Sequence, residues 1–260
     1  MGIMKKIVSG LMVCLAILIT VVLVHAADDA EKVEKPKIAV IPKGTTHSFW
    51  KSIHAGARKA AEEFGADINW QGPQKEDDRQ LQIQVVQTFI SRKVDAIVLA
   101  PLDNRALVPS VEAAVKRGIK VIIIDSDLNS EKHSSFVATD NTAGGKLCAK
   151  RLSEIMGGKG KALMLRYAEG SASTANREQG FLDGMKEFGP DIELVSTTQY
   201  AGATMEKAFQ AARIFSTVLV KLKACSVQMR VPRRECSGRF RLPAKPAKSN
   251  SSDLIPMKHW

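Results

Sequence analysis

Residues 95–127 read "DAIVLAPLDNRALVPSVEAAVKRGIKVIIIDSD". Two short apolar runs, "DAIVLAP" and "KVIIIDSD", flank "NRALVPSVEAAVKRG", which reads as a helix stopped by Gly118. Apolar runs that do not alternate with polar residues suit strands buried on both faces, and such strands pair in parallel. A helix linking two parallel strands crosses over with a right hand. This stretch therefore predicts a β-α-β unit inside a parallel sheet.

The same alternation extends both ways. Upstream, "KIAVIP" (37–42) and "DINW" (67–70) are strands, with a helix from about Ser48, its expected cap, to Gly65. Phe49, Ile53, Ala57, Ala60 and Phe64 form one expected apolar face of that helix. "EDDRQLQIQVVQTFISR" follows as a helix with acids first and arginine last, as the helix dipole favours. Downstream, a second series runs from the strand "SSFVATD" through "NTAGGKLCAKRLSEIMGG", "GKALMLR", "STANREQGFLDGMKEFG" and "ELVSTT" to "TMEKAFQAARIF". Two such series predict an α/β protein of two doubly wound parallel-sheet lobes. The expected division is an N-terminal lobe at 37–140 and a partial C-terminal lobe at 141–215.

Both ends of the chain read differently. Lys5 and Lys6 precede an apolar stretch from Ile7 to Val24, and "VHAAD" places small residues around Ala26. This is an expected export signal at 1–26; a retained membrane anchor is the alternative. Residues 27–36, "ADDAEKVEKP", read as a polar linker. The formal net charge is +11, but residues 216–260 hold ten Lys/Arg against two Asp/Glu, and residues 27–215 carry only +1. The body thus offers no electrostatic footprint for a phosphate backbone, and no nucleic-acid partner is expected. Of four cysteines only Cys148 lies in the body, as a buried free thiol on a helical face. No metal spacing, disulfide framework or cofactor motif can be built from these residues, so none is expected.

In doubly wound sheets ligands sit beyond the carboxyl ends of the strands. Thr45, Thr46, His47, Phe49 and Trp50 follow the first strand, and Asp125 and Ser126 follow the fourth. Arg166 follows "ALML", Asn176 and Arg177 open the next helix, and Gln199 and Tyr200 close "VSTTQY". Aromatic rings cover apolar C–H faces, while carboxylate and guanidinium groups bind hydroxyls in fixed directions. The set suits a small polyhydroxylated guest. Nucleophile-elbow, zinc-protease and phosphate-loop motifs are missing from the sequence, and no enzyme is expected.

"IAVIPKGTTHSFWKSIHAGARKAAEEFG", "DAIVLAPLDNRALVPSVEAAVKRGIKVIIIDS", "FVATDNTAGGKLCAKRL" and "EGSASTANREQGFLDGM" resemble periplasmic sugar-binding proteins of the ribose-binding type, over about 37–215. The resemblance implies two Rossmann-like lobes joined by a hinge, the second incomplete in this chain, in a monomeric solute receptor that closes on one sugar or polyol and delivers it to a membrane ABC permease. It implies that the ligand is held by His47, Phe49, Trp50, Asp125, Ser126 and Arg177. Ser126 stands where the family often has Arg, and His47 where Asn is common, so the sugar need not be ribose. A receptor that signals through a membrane sensor is the alternative role.

After Phe215 no sustained period of two or 3.6 remains, although the resemblance implies further strands and helices. A shifted frame restores them, each new codon taking the third base of one codon and the first two of the next. With suitable synonymous codons Arg234 to His259 then decode as "GMLRALQAAGKAGKVKFIGFDSNETL". The choice is constrained: Glu235-Cys236 allows only Met or Val, and Leu254-Ile255 only Asp, Asn, His or Tyr. The expectation is an out-of-frame basic tail at 216–260 and a truncated product, impaired in folding and binding or without function.

Overall fold

The computed structural model describes residues 34–222 and 224–228, with side chains as far as Ile214. The expected export signal, most of the linker and the tail beyond Gln228 lie outside the described residues.

The first sheet holds β1 (Lys37–Ile41), β2 (Asp67–Trp70), β3 (Ala96–Leu99), β4 (Lys120–Ile124) and β5 (Ser135–Val137). Their order is β2-β1-β3-β4-β5, and every pair is parallel. Helices α1 (Ser48–Phe64), α2 (Arg79–Ser91) and α3 (Val108–Lys116) make the crossovers. The strand at Ser135–Val137, read from sequence as the start of the second series, is instead the edge of this first sheet, beside β4.

Period-two burial explains why these strands share one core. Ala39 and Ile41 of β1, Ile97 and Leu99 of β3, and Val121 and Ile123 of β4 all face one side. There they meet Val85, Val86, Phe89 and Ile90 of α2 and Val111 and Ala114 of α3. Asp78 caps α2 by accepting from Leu81 N, which places the helix start beyond the acids expected in its first turn. Pro109 in the first turn of α3 likewise sets its start at Val108; the preceding residues form a turn in which Asp103 Oδ1 accepts from Arg105 N and Ala106 N.

The first helix differs from expectation in two ways. Its cap is His47, whose Nδ1 accepts from Phe49 N at 3.1 Å, and Ser48 is its first helical residue. Its inward face is also rotated. Trp50 is 0 % exposed while Phe49 is 39 % and Phe64 77 % exposed. Neighbouring helical residues lie about 100° apart, so burying Trp50 turns Phe49, Ala60 and Phe64 of the expected row outward and leaves Ile53 and Ala57 half-buried.

The second sheet has the parallel order β7-β6-β8, with β6 (Gly160–Arg166), β7 (Ile192–Tyr200) and β8 (Ala224–Gln228). Helices α4 (Asn141–Met156), α5 (Ala172–Phe188) and α6 (Met205–Leu222) accompany it. Both faces of β6 are covered. Ala162 and Met164 pack with Ala149, Leu152, Phe181 and Met185, while Leu163 and Leu165 face Ala201, Ala208 and Ala212. The sequence reading ends the alternation at Phe215, yet the backbone continues α6 to Leu222 and adds β8. Residues 216–228 contain neither Pro nor Gly, so nothing in them breaks either element.

Helices α4 and α5 approach closely because glycines face each other. A Cβ on Gly145 would overlap the Arg177 carbonyl oxygen, and one on Gly180 the Thr142 carbonyl oxygen; around Gly144 the space is open. Gly180→Ala is expected to cost about 1–3 kcal/mol by forcing the helices apart. Gly144→Ala, on the exposed side of α4, is expected to gain about 0.5–1 kcal/mol. Urea unfolding of the two variants checks the contrast, and equal effects would contradict this packing.

Candidate functional site

The carboxyl ends of β1 and β4 meet the start of α5. Lys43, directly after β1, is 0 % exposed, although lysine is among the residues least often buried. Its ammonium lies 3.0 Å from Asp125 Oδ2, 3.2 Å from Ser173 Oγ and 3.4 Å from Ser171 Oγ. Asp125 ends β4 in the left-handed region, at φ 63°. Aspartate tolerates that conformation better than most residues, but it still carries strain, which collects at functional sites. Asp125 Oδ2 is buried and has the Lys43 charge beside it, yet no donor in hydrogen-bonding geometry. Next to it the buried Ser126 hydroxyl accepts from Ser173 N at 2.9 Å, so the first lobe occupies an amide of the α5 N-terminus.

A second contact crosses between the lobes a few residues away. The Trp50 indole donates from Nε1 to Glu76 Oε1 at 2.8 Å, and the Tyr167 hydroxyl donates to Glu76 Oε2 at 2.7 Å. Phe49 stands edge-on to Trp50, with ring centroids 4.9 Å apart. Tyr167 is fixed from its own lobe by buried Glu178, whose Oε1 accepts from Tyr167 N while Oε2 accepts from Arg166 Nε, each at 2.8 Å. The same carboxylate holds the Arg166 guanidinium above its ordinary pKa, and that guanidinium lies 5.3 Å from the centre of the Tyr200 ring.

Buried Gln82 squares the loops that carry these groups. Its amide nitrogen donates to Pro42 O and Ala100 O, and its oxygen accepts from Leu102 N. Thr45 and Thr46 donate to Pro73 O and Gln74 O, tying the loop after β1 to the loop that bears Glu76.

Of the residues expected at the site, the structure brings Asp125 and Ser126 together at the lobe contact. It places Phe49 and Trp50 against each other at the second bridge. His47 serves as the α1 cap. Arg177 donates from Nη2 to Asn141 Oδ1 at the start of α4, and its charge opposes the burial that pushes the Cys148 thiol upward. Sequence reasoning missed Lys43, Glu76, Tyr167, Ser171 and Ser173. Lys43 carried the one available signal, a lone cation between Pro42 and Gly44 at the end of a buried strand.

The arrangement supplies the Lys43 ammonium, the Asp125 and Glu76 carboxylates, several hydroxyls and the rings of Phe49, Trp50 and Tyr167 between two lobes. It holds polar groups in fixed directions: His47 caps α1, and His54 stacks on Trp70 with centroids 4.5 Å apart. Among the described residues no cluster of His, Cys, Asp and Glu could hold a metal ion.

Comparison with known proteins bears on the fold and family. The D-ribose/D-allose-binding protein of Pseudomonas aeruginosa is 32% identical over 178 residues, 64% of this chain and 55% of that protein. The D-apiose import binding protein of Actinobacillus succinogenes is 30% identical over 160 residues, 61% of this chain and 51% of that protein. The chain thus spans about half the length of these relatives. Among solved structures, the periplasmic component of an ABC-type sugar transport system from Hahella chejuensis superposes with a TM-score of 0.65 at 33% identity, covering 73% of this chain and 69% of that one. A carbohydrate transporter solute-binding protein from Agrobacterium radiobacter, in complex with D-arabinose, gives a TM-score of 0.68 at 29% identity, covering 75% and 68%. A profile of the periplasmic binding protein domain matches residues 38–225, and the chain belongs to that family.

Proposed function

We propose that this protein is a periplasmic receptor that binds one sugar or polyol between its lobes and delivers it to a membrane ABC permease. The observation that carries this reading is the meeting of Lys43, Asp125, Ser126, Ser171 and Ser173 where the sheet end faces the second lobe. These groups face one another across the cleft, and Asp125 Oδ2 still lacks a donor in hydrogen-bonding geometry. A sugar hydroxyl both donates and accepts, so a polyhydroxylated guest can replace those bonds one for one without stranding a buried charge. On this reading Phe49 and Trp50 supply the apolar wall, and His47 and Arg177, now bonded to Phe49 N and Asn141, are further ligand contacts. The ribose, allose and apiose named for the relatives make pentoses and hexoses the first candidates. Delivery to an importer is preferred over a sensing role because the relatives and structures compared above are named for import or transport.

A thermal-shift screen of pentoses, hexoses and polyols tests the reading. One sugar is expected to raise Tm by mass action on the folded state. Asp125→Asn is expected to weaken its binding about 10- to 100-fold, through loss of bonds to a charged group. Trp50→Ala is expected to abolish the shift. A shift that survives both substitutions would place the ligand elsewhere.

We further propose that residues 216–260 are read out of frame and that the product is impaired in consequence. The shifted decoding of Arg234 to His259 supports this. So do the exposed apolar side chains of the second lobe: Leu147 and Ile155 on α4, Met205, Phe209 and Ile214 on α6. Sequencing the gene beside its nearest homologues is expected to show a one-base disruption near codon 215. An undisrupted frame in all of them would dismiss the proposal.

A further inference from the structure

Glu76 belongs to neither sheet, yet it makes the bond that joins the largest ring of the first lobe to the second. Its carboxylate is 9 % exposed, and each oxygen takes one donor from a different lobe: the Trp50 indole of α1 and the Tyr167 hydroxyl just past β6. The carboxylate stem passes close to the loop that carries Lys43. A Cβ on Gly44 would stand 3.0 Å from Glu76 Cγ, so a glycine there makes room for the approach. One residue further on, Asp77 forms an ion pair with Lys207 of α6 at 3.1 Å. That exposed pair contributes little and leaves Glu76 as the substantial bond of its loop.

We propose that Glu76 is a positioning residue whose carboxylate ties the Trp50 indole to the Tyr167 hydroxyl across the cleft, so that lobe closure and seating of the Trp50 ring are one step. With the lobes apart, Tyr167 leaves, Glu76 takes water in its place and the indole loses its buried setting. With the lobes together, two donors converge on one charge, and bonds of that kind shift an equilibrium by about one to two orders of magnitude. Glu178 makes the second lobe's half of the device rigid, because it fixes Tyr167 N and Arg166 together. The consequence for sugar affinity rests on the receptor reading above; the coupling of ring to closure does not.

The test compares the full chain with Tyr167→Phe, Glu76→Gln and the double variant. Trp70→Phe and Trp260→Phe in all of them leave Trp50 as the sole emitter, and far-UV circular dichroism confirms an intact fold. The parent is expected to emit as a buried indole. Tyr167→Phe keeps the ring and removes the crossing bond, so it is expected to red-shift the emission and raise the radius of gyration in solution scattering. Affinity for whichever of D-ribose, D-allose or D-arabinose binds is expected to fall about 10- to 100-fold. The double variant is expected to match Glu76→Gln, because both substitutions act on one bond. Unchanged emission and size in Tyr167→Phe, additive effects in the double variant, or a parent that already emits as an exposed indole would each overturn the proposal. If no sugar binds the parent, the receptor reading fails by itself, while emission and scattering still decide the coupling.

Discussion

A lysine ammonium without exposed surface is the constraint around which the two lobes are arranged. Moving such an ion out of water costs several kcal/mol even after relaxation, and only a well-placed counter-charge with further hydrogen bonds offsets that. Lys43 finds its carboxylate in Asp125, from a strand two positions away in the same sheet, and its hydroxyls in Ser171 and Ser173 of the other lobe. Both lobes thus contribute to its setting. The strained turn at Asp125 follows from the same need, since the carboxylate must leave the end of β4 toward the cleft.

Around that charge, interior and cleft divide their tasks by residue type. The parallel strands contribute aliphatic side chains to the cores, and polar groups gather only where the strands end. Gln82 is the exception that links the two. Fully buried at the start of α2, it bonds the backbone at the ends of β1 and β3, whose carbonyl and amide groups no longer have ladder partners. The loops that carry Lys43 and Asp103 are thus set by the packed core rather than by the cleft itself. A guest that exchanges bonds with Lys43 and Asp125 therefore meets positions already in place, which limits the ordering it must impose.

Much of this was legible because it is local. A strand of four to seven residues between helical stretches announces itself by composition, and the repetition of that unit predicts parallel sheets. Asp125 and Ser126 were legible for the same reason, as polar residues at the end of "VIII". The face of α1 was not, because rotating a helix by one residue exchanges Phe49 for Trp50, and only the Glu76 acceptor decides between them. The Lys43 pairing with Ser173 spans 130 residues, and the Tyr167 bond to Glu76 spans 91. No periodicity encodes a contact of that separation. Glu76 also sits in "QKEDD", where acids fit the start of a helix and carry no mark of burial.

The polar contact between the lobes is also a contact between separate cores. Among the described residues the first lobe packs one cluster from β1, β3, β4, α2 and α3, and the second has clusters on opposite faces of β6. Each bond from Tyr167, Ser171 or Ser173 to the first lobe therefore links cores that can open separately once the bond is lost. On the proposed reading, a guest that bridges the cleft adds to the same link and stabilises the joined state by mass action.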